Sequence, residues 1–137
     1  MGAKKILIPV DGSKRSLDAI NMVKSLFSGE ELDIHLLHVV EMNYIIQEDV
    51  QKELLKVSDN ILDKAAELLG DYSINKVSLM GTPYKDIVEY AEKENIDMIV
   101  MTRMGLSGLQ RYLVGSVTSK VISNTSVPVL IVPEGDK

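Results

Sequence analysis

Five short, largely apolar runs punctuate this chain, and between them apolar residues recur at the spacing of a helix face. The runs are Ile6–Val10, Ile34–Val40, Lys76–Met80, Asp97–Met101 and Val127–Val132. Strands that are apolar on both faces are covered on both sides, as in a parallel sheet. Parallel neighbours cannot be joined by a tight hairpin; they need crossovers, here helical, and such crossovers are right-handed. The pattern predicts an α/β fold, an open doubly wound five-stranded parallel sheet of order 3-2-1-4-5 with helices on both faces. With 137 residues and 45% apolar content, one domain over residues 1–137 is expected, because a second would have no core of its own.

The helix boundaries follow from turn and cap chemistry. Ser13 is placed to cap a first helix carrying Leu17, Ile20, Val23, Leu26 and Phe27, with Gly29 to end it. The longest stripe runs from Ile45 through Val50, Leu54, Val57, Ile61, Leu62 and Ala65 to Leu69, closed by Gly70. Pro83 suits the first position of a short helix bearing Ile87, Val88 and Ala91, and a last helix follows Gly115-Ser116.

Charge and composition remove several classes of function. With 15 basic and 20 acidic residues the net charge is -5, which disfavours a broad footprint on nucleic acid or anionic lipid, so neither partner is expected. There is no cysteine, which excludes disulfides, iron-sulfur clusters and thiolate zinc sites and fits the cytoplasm. No apolar run approaches the roughly 20 residues of a membrane-spanning helix, and the start from Met1 to Lys5 lacks the pattern of a signal peptide.

In an open doubly wound sheet, ligands bind beyond the carboxyl ends of the strands where the winding reverses. For the order above, that point lies between the first and fourth strands, at Asp11-Gly12-Ser13 and at Thr102-Arg103-Met104-Gly105. The second segment continues to Gly115-Ser116, where a helix start offers unpaired N–H groups and the positive end of its dipole; phosphate is the natural ligand there. One helix end contributes only about 0.3 to 1 kcal/mol, so several donors must converge. Asp11 can accept hydrogen bonds from ribose hydroxyls, or it can simply shape the turn. His35 and His38 fall on opposite faces of their strand, cannot share a metal and read as structural. Met98, Met101 and Met104 read as packing residues rather than metal ligands. No P-loop run occurs and no G-x-G-x-x-G follows the first strand, which excludes a P-loop nucleotidase and argues against a Rossmann dinucleotide site.

Ile6 to Ser13 (ILIPVDGS), Leu37-His38-Val39, Gly105 to Ser119 (GLSGLQRYLVGSVTS) and Val127 to Val132 (VPVLIV) together resemble a universal stress protein. The resemblance covers nearly the whole chain and implies the same five-stranded fold, binding of ATP, and a role as a small stress-response or signalling protein. Many members carry a glycine, two residues, a glycine, nine residues, then glycine with serine or threonine; here Gly105, the spacer Leu106 to Val114 and Gly115-Ser116 match. The first glycine is replaced by Thr102, whose β-branched side chain can crowd the ligand or whose hydroxyl can replace a contact. By resemblance, Asp11 meets the ribose and adenine side and Val39 meets adenine through its backbone. Gly105, Gly115, Ser116 and Val117 hold phosphates, and Pro9 and Met101 line base or sugar. Magnesium bridging Asp11 to the phosphates is a secondary expectation.

The segment from Thr102 to Ser116 offers no carboxylate to act as a base, so the chain is expected not to be an enzyme, or at most to hydrolyse ATP slowly. Val127 to Val132 would lie at a sheet edge, and the resemblance implies a homodimer through it. The alternative is a dimeric interaction protein of the same family that binds no nucleotide because Thr102 closes the site.

Overall fold

A computed structural model describes residues 2–42, 47–103 and 114–133. Along the chain run β1 (Lys4–Pro9), α1 (Lys14–Leu26), β2 (Leu32–Glu41), α2 (Glu48–Glu67), β3 (Ser73–Gly81), α3 (Pro83–Lys93), β4 (Met98–Thr102), α4 (Ser116–Asn124) and β5 (Val129–Val132). The five strands form one sheet of order β3-β2-β1-β4-β5, and every neighbouring pair is parallel. This is the architecture expected from the alternation of runs. The winding reverses at β1, which pairs with β2 on one side and β4 on the other.

Alternation along the strands divides the core in two. Ile6, Ile8, Ile34, Leu36 and Val100 pack with Ala19, Ile20 and Val23 of α1 and Leu62 and Ala65 of α2. Leu7, Leu37, Ile99 and Met101 pack with Ile87, Val88 and Ala91 of α3 and Val121 of α4. With both faces of β2 apolar, hydrophobicity alone does not decide which residues face which helices. The two histidines do. Nδ1 of His35 lies 2.6 Å from the Tyr90 hydroxyl on α3, and Nδ1 of His38 lies 2.6 Å from Oγ of Ser58 on α2. A one-residue slip would strip both rings of these partners, at about 1–3 kcal/mol for each buried polar group left unsatisfied.

Several boundaries differ from the sequence expectation. β2 and β3 are ten and nine residues long, because their parallel ladder runs from Asp33↔Ser73 to Glu41↔Gly81, past the apolar runs. α2 starts at Glu48 rather than Ile45, and residues 43–46 lie outside the described segments. β5 starts at Val129, since Val127 donates its N–H to Oγ1 of Thr125, 3.0 Å away, in the turn that follows α4. Among the described residues no helix is long and apolar enough to cross a membrane.

Candidate functional site

The turn that ends β1 places the first polar group. Gly12 adopts φ +87°, and a Cβ there would come within 3.1 Å of Ile61 Cδ1 on α2, so the chain turns tightly beneath that helix. Ser13 then caps α1, its Oγ accepting from Ser16 N at 3.3 Å. The backbone N–H and the hydroxyl of Ser13 both donate to Oδ1 of Asp11, at 2.9 and 2.6 Å. The Asp11 carboxylate is thereby fixed at the carboxyl end of β1, at the point where the winding reverses.

A second device comes from β4 and α4. Gly115 is the N-cap of α4 and carries no side chain to cap it. The first intrahelical bond runs from Ser119 N to Gly115 O at 2.9 Å, so the N–H groups of Ser116, Val117 and Thr118 have no acceptor within the helix. Thr118 Oγ1 donates to Thr102 O at 2.9 Å, and Gly115 N donates to Arg103 O at 2.8 Å. The start of α4 therefore sits on the end of β4.

These parts border one cleft of about 540 Å³, within the range of roughly 300–1,000 Å³ usual for small-molecule sites. Pro9, Asp11, Val39, Met101, Thr102, Gly115, Ser116 and Val117, eight of the nine residues singled out from sequence, all line it. The ninth, Gly105, lies outside the described residues. Thr102 is buried, and strand alternation puts its side chain on the α1 side with Val100, away from the face of Met101.

The cleft also draws on residues that sequence reasoning did not select. Leu54 and Val57 of α2 and Pro83 and Ile87 of α3 form apolar walls, with Glu41 at the end of β2. Val57 is 54% exposed, so part of the α2 stripe faces this cleft rather than the core. Periodicity marks an apolar face but does not say whether it meets protein or ligand. His38, read as structural, does hold Ser58, which in turn bonds Ser78 on β3, yet it also lines the cleft. Burial pushes its pKa below the ordinary value, against the opposing charge of Asp11. The neutral ring is thus favoured at neutral pH.

The arrangement has an apolar slot between strand ends and helices, a fixed carboxylate on one side and an open helix N-terminus on the other. Chemically it can receive an apolar ring, hydroxyl donors and an anion. Among the described residues no group of three or more histidine or acidic side chains could hold a metal ion.

Fold and site together define a doubly wound α/β protein with its cleft at the switch point of the sheet. The family described as the universal stress protein family matches residues 2–133. Universal stress protein MJ0531 of Methanocaldococcus jannaschii is 35% identical over 149 residues, covering 98% of this chain and 84% of the relative. The chain belongs to the universal stress protein family. Among solved structures, that of protein MJ0577 superposes with a TM-score of 0.89 at 29% identity over 100% of both chains. A universal stress protein in complex with cAMP superposes with a TM-score of 0.76 over 98% of this chain and 100% of that one; at 24% identity this likeness is one of fold.

Proposed function

We propose that the chain binds an adenine nucleotide, ATP in the first place, in the cleft between β1 and β4, and acts as a small cytoplasmic stress-response or signalling module. The observation that carries this reading is convergence. Asp11, Val39, Met101, Thr102 and the start of α4 come from four separate stretches of sequence and border one cleft. Pro9, Val39 and Met101 supply the apolar surface for the base, Asp11 the acceptor for ribose hydroxyls, and the N–H groups of Ser116 and Val117 the donors for phosphate. The cAMP complex of a protein of the same fold supports an adenine nucleotide as the class. Magnesium accompanying ATP would be held by phosphate oxygens, with Asp11 as its carboxylate only in place of the ribose contact, which uses the same oxygens. Displacement of a fluorescent ATP analogue tests the reading: unlabelled ATP should displace it, and an analogue that does not bind the parent chain contradicts it.

A second reading rests on Thr102, which lines the cleft where the family motif carries glycine. In it the chain is a dimeric interaction protein without nucleotide. Thr102→Gly separates the two: binding gained only in the variant favours the second, and binding already present in the parent favours the first.

Edge strand β5 carries the proposed homodimer contact. Among the described strands it pairs with β4 alone, and its outer side is the surface we assign to a second copy.

A further inference from the structure

We infer that Thr118 is a positioning residue for the phosphate end of this cleft, its hydroxyl holding the first turn of α4 in the orientation that presents the Ser116 and Val117 N–H groups to the ligand. The inference rests on the nucleotide reading above and concerns a side chain that this reading leaves without a role.

Thr118 borders the cleft but is only 4% exposed, and a buried hydroxyl is expected to be hydrogen-bonded. Thr118 stands in the first turn of α4, where no helical carbonyl lies a turn earlier, and its Oγ1 reaches to the carbonyl of Thr102, the last residue of β4, at 2.9 Å. That carbonyl belongs to a rigid body: Thr102 pairs with Val132 of β5, and Arg103 N donates to Val132 O at 3.1 Å. The start of α4 is attached to the same strand end a second time, through Gly115 N and Arg103 O at 2.8 Å. Packing of Val121 and Val117 into the core holds the body of α4, and the two hydrogen bonds, a turn apart, set how its first turn meets the end of β4.

Direction matters because an N–H···O bond prefers an angle above about 150° and weakens steeply below about 120°. A modest tilt of the first turn would leave the base slot and Asp11 untouched while misaiming the phosphate donors. Thr118 therefore governs how strongly phosphate is felt, and not whether the nucleoside binds.

Thr118→Val keeps the shape of the side chain and removes the donor; Thr118→Ser keeps the donor. Calorimetric titrations of the parent chain and both variants with ATP and with adenosine, well below their unfolding temperatures, test the proposal. The parent should bind ATP more tightly than adenosine. Thr118→Val should bind adenosine as the parent does but ATP about tenfold more weakly, and Thr118→Ser should restore the parental ratio. Should the valine variant not fold, Thr118→Ala is judged on the same ratio. A parental ATP-to-adenosine ratio in the donor-less variant, or an equal loss for both ligands, overturns the inference. A parent that binds neither ligand overturns the nucleotide reading itself, a distinct result.

Discussion

At His38 two opposing influences meet: burial favours the neutral ring, and the Asp11 carboxylate favours the imidazolium. Burial prevails, so the folded protein binds this proton less readily than the unfolded chain, whose histidine titrates near the ordinary 6.5. Above that pH the ring is neutral in both states and its titration adds nothing further. As pH falls below it the unfolded chain takes up the proton first, and stability declines until the depressed folded pKa has been passed. The unfolding free energy of the parent should therefore fall more steeply between about pH 7 and 5 than that of His38→Asn, whose amide can replace Nδ1 opposite Ser58. Equal slopes in denaturant titrations across that range would contradict this. The cleft-lining role of His38 was not legible in the sequence, because alternation says that His35 and His38 face apart but not which face opens. Asp11 and Val39 were legible, because each stands at the carboxyl end of an apolar run, where sheet topology puts ligands.

The elements were legible where one physical signal acted alone. Apolar periodicity located all four helices, and Ser13 marked the start of α1, which its bond to Ser16 N confirms. Boundaries failed where backbone pairing outran side-chain character. β3 opens with the exposed Ser73 and includes Asn75, both ahead of the run from Lys76, held by the ladder to β2 and by the contact of Asn75 with Asp33. Parallel pairing is made by backbone groups, so polar residues extended the strands without leaving an apolar trace. Ser13 links the two levels, since it caps α1 and tethers Asp11. Ser13→Ala should cost about 1 kcal/mol of stability, read from urea unfolding, and should also weaken nucleotide binding by loosening the carboxylate. A loss of stability with unchanged nucleotide affinity would separate the cap from the site.

Across the whole molecule, the sheet order puts β5 at one edge and β3 at the other, and the two edges differ in character. β3 carries exposed polar residues, whereas β5 reads Val129-Leu130-Ile131-Val132. An apolar edge strand invites pairing with another chain, and polar side chains discourage it. Sedimentation should therefore find a mass of two chains at micromolar concentration; a single-chain mass for the parent would remove β5 as an interface. The cleft opens at the carboxyl ends of the strands, close to where β4 hands over to α4, and β4 also pairs with β5, so the proposed nucleotide and partner surfaces would be joined through β4. The nucleotide comes first in this scheme. Calorimetric titration of the parent protein with ATP tests it most directly. The expected result is saturable binding at one site per chain, with ATP at about 100 times the dissociation constant raising stability by about 2.7 kcal/mol. Neither heat nor any change in unfolding at millimolar ATP would contradict it.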